Sequence, residues 1–389
     1  MMLTRSLRPV RTGVRALHTS CGLVGYPNVG KSTLFNSLTQ TQQAEASNYP
    51  FCTINPNTAK VGIFDDTILS LAEIVQPEKV VPAQLEVWDI AGLIKGASEG
   101  AGLGNRFLSN IRTVTVIIQV IRCFTDVNVS HVEGTDSFDP VSEMDAVKTE
   151  LILKDIETCQ KRMKRRGQPK EETVFWEKLY NHLNEGEAAR DMEMTKEEDL
   201  LVRQLSLLSH KPVVYCCNTD AEAMEEGDNE ISSEFKQYIN ENEPNNPVIT
   251  LSATLEDEAS IIKNDGKTDA EKKELFNEYF EAYGSSGSKL PELLSICSDH
   301  LNLQKYYTAG PAAVSSWLIE KGTTADEAAG KIHSDFQKNF ICAEISRLED
   351  WEQYGPTEEN LRKYNKWQRY GKDYVMKQGD VVVFRHGAK

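Results

Sequence analysis

The sequence predicts an α/β protein in which a parallel-sheet domain carries an inserted helical hairpin and is followed by a small α+β domain. Three observations lead there. From about Cys21 to Cys123, short apolar runs ("CGLVG", "LEVWDIAG", "VIIQVIRCF") alternate with loop and helix signals, the pattern of strands in a parallel sheet. Between about 141 and 209 the chain turns charged and helical, with "KTELILKDIETCQKRMKRR", then "GQPKEE", then a second amphipathic run, as a hairpin inserted into the sheet domain would read. Strand patterns resume at "KPVVYCCN" and "NPVITLSAT", so the sheet finishes after the insertion. From Leu301 onward 13 Lys and Arg face 12 Asp and Glu, against 30 and 47 before it, which sets the last ninety or so residues apart as a different electrostatic object. The expected division is 1–19, 20–300 and 301–389.

Taken in order, the first nineteen residues carry Arg5, Arg8, Arg11 and Arg15, and no acid precedes Glu45. That composition matches a mitochondrial presequence, so the mitochondrial matrix is the expected location, with a cytoplasmic protein bearing a basic tail as the alternative. The longest apolar run, Val114 to Ile121, is far short of the roughly 18 residues of a membrane span, so no membrane partner is expected. Eight scattered cysteines without zinc spacing read as reduced thiols. A net charge of −16 argues against indiscriminate nucleic-acid binding, and DNA is not an expected partner.

"GYPNVGKST", Gly25 to Thr33, satisfies GxxxxGK[ST] between an apolar strand and a helix former. Its glycines let backbone N–H groups turn around a β-phosphate, Lys31 reaches the β and γ oxygens, and the Ser32 hydroxyl ligates Mg²⁺. Further on, "DIAG" ends a strand, where Asp89 can hold the Mg²⁺ shell and the Gly92 N–H can sense a γ-phosphate. Between them "NYPFCTINP" offers Thr53 as a hydroxyl that closes on the metal. This is the order of a switch-type P-loop NTPase. Leu93 stands where many regulatory GTPases place a water-orienting Gln, and the glycine run Gly96 to Asn105 gives the next segment backbone freedom.

With these, "GYPNVGKSTLFN", "NYPFCTI", "DIAGLIKGASEGAGLGNRFL", "IRCF", "HVEG", "YYTAGP" and "AAGKIHSDF" closely resemble the Obg-like ATPases, the YchF family, from about Cys21 to the C-terminus. The resemblance implies a P-loop NTPase domain of the Obg/TRAFAC type, a coiled-coil-like helical insertion, a C-terminal TGS domain, ATP preferred over GTP, and association with the ribosome. It assigns phosphate binding to Asn28, Val29, Gly30, Lys31, Ser32 and Thr33, Mg²⁺ to Ser32 and Thr53, and a place against the base to Thr219, beside Asn218. His131 in "HVEG" matches the position given a catalytic role, and a neutral imidazole there can accept a hydrogen bond from the attacking water.

Base selection is read from the four residues after "KPVVYCC". Guanine-specific enzymes carry NKxD, and this chain has Asn218, Thr219, Asp220 and Ala221. Without the Lys and the acid, guanine loses a charged acceptor worth about 1.5–3 kcal/mol. The family's usual Glu is also absent, with Asp220 and Glu222 as nearby substitutes, so the ATP preference rests on what is missing. Two basic segments suggest where RNA of the ribosome, large subunit first, would be gripped. "RKYNKWQRYGK" (Arg362 to Lys372) interleaves cations and aromatics, a pattern open to either base stacking or a packed helix, and "KRMKRRGQPK" (Lys161 to Lys170) sits where the insert turns back.

Overall fold

The computed structural model describes residues 19–45, 57–90, 103–124, 139–167, 169–263 and 266–387. The first domain alternates strands and helices: β1 (Ser20–Val24), α1 (Lys31–Glu45), β2 (Thr58–Ile63), α2 (Asp66–Val75), β3 (Val80–Val81), β4 (Ala83–Asp89), α3 (Leu103–Thr113) and β5 (Val116–Arg122). After an insert come β6 (Val213–Asn218), a helix, β7 (Val248–Leu251) and three more helices. Numbered in chain order, the helices from the insert onward are α4 (Pro140–Met163), α5 (Lys170–Asn184), α6 (Lys196–Leu205), α7 (Glu230–Asn242), α8 (Ala253–Lys263), α9 (Asp269–Ala282) and α10 (Leu290–His300).

Strand order is β2-β4-β1-β5-β6-β7, with only β2 antiparallel to its neighbour. β1, β5 and β6 are buried along their whole length, because helices cover both faces. Val116, Ile118 and Val120 of β5 pack with Leu34 and Leu38 of α1 and Leu294 of α10. Ile117 and Ile121 point the other way, toward Ile111 of α3, Val147 of α4 and Phe235 of α7. The period-2 alternation of an all-apolar run thus serves two separate cores.

The insert lies between β5 and β6. Asp139 caps α4, accepting from the backbone N–H groups of Val141 (3.1 Å) and Ser142 (3.2 Å). α4 and α5 close on each other around Ile152, Cys159, Phe175, Trp176 and Leu179, with Val202 of α6 completing this third core. A fully buried carboxylate pins the insert to the sheet: Asp155 accepts from Leu208 N (2.9 Å), Ser209 N (2.7 Å) and Ser209 Oγ (2.7 Å).

The C-terminal domain comprises β8 (Leu303–Ala309), β9 (Val314–Glu320), α11 (Ala325–Ile332), α12 (Ser334–Lys338), β10 (Phe340–Ser346), α13 (Leu348–Tyr354), α14 (Glu358–Lys363), β11 (Gln368–Tyr370) and β12 (Val381–His386). Its sheet runs β11-β10-β12-β8-β9-β3. The last strand is unexpected from sequence, since β3 comes from the first domain and pairs in parallel with β9. Among the described residues no helix is long and apolar enough to cross a membrane, and seven of the eight cysteines, those described, are buried free thiols.

Candidate nucleotide-binding site

β1, β4 and β6 end at one edge of the sheet, where crevices of open α/β sheets take their ligands. The loop from β1 to α1 reverses through positive φ at Gly25 (154°), Asn28 (63°) and Gly30 (96°). Two of these positions exclude a side chain: a Cβ on Gly25 would lie 2.5 Å from Val120 O, and one on Gly30 would lie 2.3 Å from Asn218 Nδ2. Val29, fully buried, anchors the loop in the core. The first turn of α1, with Lys31, Ser32 and Thr33, contains no acid of its own, which leaves its backbone N–H groups and the positive end of the helix dipole suited to an anion.

Lys31 donates from Nζ to Tyr26 O at 2.5 Å. Burial brings its pKa down to about 8, against the pull of Asp89 and Glu143. Burial likewise pushes Glu143, in the first turn of α4, up to about 7, while Arg122 and Lys31 restrain it. The Ser32 hydroxyl donates to Asp89 Oδ2 at 2.9 Å. A hydroxyl and a carboxylate side by side at the end of a strand are hard oxygen donors, the set Mg²⁺ takes together with nucleotide phosphates. The residues present therefore fit that ion.

Asn218 and Thr219 lie at the end of β6, beside the phosphate loop. The Asn218 amide is engaged on both sides by the protein itself: Nδ2 donates to Val29 O (2.9 Å) and Oδ1 accepts from Ala253 N (2.8 Å). It staples the phosphate loop to the start of α8. Thr219 is 3% exposed, and its hydroxyl points to Leu251 O (3.4 Å) and Met224 Sδ (3.7 Å), so its side chain is turned into the protein. The cause is the β6–β7 pairing, which continues through Thr219 N to Leu251 O at 2.9 Å. Ala221 packs against the cluster of Met224, Leu255 and Phe280, an apolar place for the position where guanine recognition needs a carboxylate. Sequence reasoning missed Ala253, whose only signal was the "SAT" following β7.

His131, Thr53 and Gly92 lie outside the described residues, as does most of the glycine run before Leu103, where α3 begins, and residues 1–18 of the expected presequence.

The two basic segments separate. Around the turn from α4 to α5, Lys164, Arg165, Arg166 and Lys170 are exposed, and of the cations there only Lys161 has an acidic partner among the described residues, Glu157 at 3.8 Å. In the C-terminal segment Glu344, on β10, collects Arg362 (2.6 Å), Arg369 (2.9 Å) and Arg385 (2.9 Å), and Lys366 pairs with Asp350 at 3.2 Å. Its aromatics meet other rings: Trp367 meets Trp351 edge-on at 6.1 Å, Tyr370 lies 4.1 Å from Tyr374, and the exposed Tyr364 lies 4.7 Å from Tyr354. The packed reading of this segment is favoured over the base-stacking one, because Glu344 and Asp350 meet Arg362, Arg369 and Lys366, and Trp367 and Tyr370 pack against neighbouring rings, while Tyr364 stays half-exposed.

Family comparisons agree with this architecture. The model described as a 50S ribosome-binding GTPase matches residues 20–160, and the YchF GTPase C-terminal model matches residues 303–387. The chain is 40% identical over 375 residues to the ribosome-binding ATPase YchF of Bacillus subtilis, covering 94% of this chain and 98% of that one. It is 37% identical over 382 residues to Obg-like ATPase 1 of Schizosaccharomyces pombe, covering 95% and 94%. The solved structure of the Schizosaccharomyces pombe YchF GTPase superposes with a TM-score of 0.82 at 36% identity, over 96% of this chain and 99% of that one. With sequence and fold shared over nearly its whole length, the chain belongs to the YchF family.

Proposed function

We propose that this protein is a Mg²⁺-dependent ATPase that prefers ATP to GTP and binds the ribosome under nucleotide control. The observation that carries the reading is the phosphate loop with Ser32 and Asp89 in contact at its mouth, joined by relatives whose names say ribosome-binding ATPase. In the bound state the loop N–H groups and the α1 N-terminus cradle the β-phosphate, and Lys31 exchanges Tyr26 O for phosphate oxygens. Ser32 and Asp89 would hold Mg²⁺, which when bound neutralises charge across the β and γ oxygens. Thr53 and Gly92 are the proposed γ-phosphate contacts. His131 is the proposed water-orienting group, since Leu93 cannot serve.

ATP over GTP is supported by Ala221 in its apolar cluster. Adenine has no N1–H and needs no carboxylate there. The ribosomal contact is placed at the large subunit, with the basic turn of the insert facing RNA, and the C-terminal domain is read as a TGS domain. Residues 1–19 are read as a mitochondrial presequence, with a mature chain starting between about Ala16 and Cys21, as the notable Arg content without acids supports.

Competition of ATP and GTP for one site, followed by single-turnover phosphate release with and without ribosomes, tests the central claim. ATP should bind more tightly and be hydrolysed. Equal or better GTP binding would indicate a GTPase switch, and binding without phosphate release would indicate a scaffold that nucleotide merely stabilises. His131→Ala should slow hydrolysis by about tenfold or more with ATP affinity nearly intact.

A further inference from the structure

β4 belongs to both halves of the molecule. At one end, Asp89 accepts the Ser32 hydroxyl at 2.9 Å. At the other, the Ala83 N–H donates to Ser316 Oγ of β9 at 2.7 Å. Seven residues of extended chain, a span of roughly 20 Å, thus run from the phosphate site to the C-terminal sheet.

The excursion between β2 and β4 is built into the C-terminal domain. Ile68 and Leu71 of α2 share a core with Tyr307, Val314, Trp351 and Val381. β3 pairs with β9, and the flanking backbone adds Glu78 N to Pro311 O (2.9 Å) and Val314 N to Lys79 O (3.0 Å). At the centre sits Asp65. Its Oδ1 accepts from Ile68 N at 3.0 Å, capping α2, and its Oδ2 accepts from Lys305 Nζ (2.5 Å) and Tyr307 Oη (2.8 Å). Lys305 and Tyr307 are buried. Burial, then Asp65, pushes the Tyr307 phenol far above its ordinary pKa, so it keeps the proton it donates. With Lys305 buried, its ion pair with the partly exposed Asp65 cannot be given up in a sliding interface without stranding the ammonium. A hydrogen-bonded, ion-paired and apolar joint of this kind moves as one body.

We propose that the unit from β2 through β4 is a lever: because the Asp65 latch fixes it to the C-terminal domain, a nucleotide that alters the Ser32–Asp89 contact shifts β2 and β4 against β1, their neighbour in the first sheet, and carries that domain with them. The coupling is reciprocal. Whatever grips the C-terminal domain must change nucleotide affinity by the same factor by which nucleotide changes its grip. The inference rests on the nucleotide-binding reading above, and it adds the route by which that site reaches the C-terminal domain.

The test is a distance measurement on the full chain, with spin labels carried by unnatural amino acids at exposed Gln237 on α7 and exposed Glu359 on α14. Distances are recorded with saturating non-hydrolysable ATP analogue and with ADP, each with Mg²⁺, and occupancy is checked in the same samples by displacement of a fluorescent nucleotide. The two nucleotides should give different distance distributions in the parent. Asp65→Asn, which keeps an N-capping side chain but removes the charge, should lose at least half of that difference. Tyr307→Phe, which leaves the ion pair in place and so guards against a folding defect, should lose a smaller part. Full occupancy with identical distributions in the parent would overturn the lever while leaving the nucleotide site standing. An undiminished difference in both variants would overturn the latch. Failure of both nucleotides to bind would overturn the site reading and the lever with it.

Discussion

The turn of the helical insert carries Lys161, Arg162, Lys164, Arg165, Arg166 and Lys170, and the C-terminal segment carries Arg362, Lys363, Lys366, Arg369 and Lys372. In composition they are near twins. In the structure the first projects from the end of a helix pair with one acidic partner, Glu157, among the described residues, whereas Arg362, Lys366 and Arg369 of the second are folded over Glu344, Glu358 and Asp350. A run of cations therefore says little by itself. What decides between a structural brace and a surface left for a polyanion is whether acids from elsewhere in the chain arrive to meet it.

The strongest way to break this contrast is Glu344→Gln. Glu344 is buried, and its carboxylate serves three guanidinium groups. Removing the charge should destabilise the chain by about 3 kcal/mol or more, read from urea unfolding, because it strands partners arranged around it. An unchanged urea midpoint would mean that the arginines are solvated after all.

Next in size is the effect of the turn on ribosome binding. Replacing Lys164, Arg165 and Arg166 with Ala should lower ribosome affinity and flatten its log–log salt slope by about 2, given roughly 0.7–0.9 per phosphate contact. Reversing Arg362 and Lys366 should instead show chiefly as lost stability. If co-sedimentation over a salt series followed the C-terminal substitutions and ignored the turn, the assignment would have to be exchanged.

Acid titration sharpens the same point. Hydrogen bonding from Arg362 first, then Arg369 and Arg385, holds the Glu344 carboxyl down at about 2, against an unfolded value of about 4.3. A depressed folded pKa contributes stability that is present above the unfolded value and is lost as pH falls from about 4.3 toward about 2. Over that window the parent should lose stability more steeply than Glu344→Gln. Parallel curves would remove Glu344 from the account. The smallest effect should come from Arg165→Glu with Arg166→Glu, which ought to move the melting free energy by less than about 0.5 kcal/mol, since exposed charges without partners contribute little to folding.

The legibility of the site varied residue by residue in the same way. Gly25, Gly30, Lys31, Ser32 and Asp89 were readable because each is placed by a strand or turn within a few positions of itself. Asn218 was readable as a residue of the site but not in its role, since Val29 O and Ala253 N, its two partners, lie 189 and 35 positions away. The direction of the Thr219 hydroxyl was hidden for a related reason: the pairing of β6 with β7 turns it toward Leu251, and no local pattern reports how far that pairing continues.

The sequence by itself determined the strand, phosphate loop and helix at residues 20–45, the helical insert between two strands, and the change of character near residue 301. All of these are carried by contiguous residues whose periodicity, glycines and caps act over short range. Only the tertiary structure decided that α2 and β3 of the first domain pack into the C-terminal one, and that the arginines around Glu344 are braces. Asp65 and Lys305 stand 240 positions apart, and Glu344 and Arg385 stand 41 apart. Contacts of that separation form only when the chain has closed its loops, and they are fixed by which buried charges must find partners rather than by any local preference.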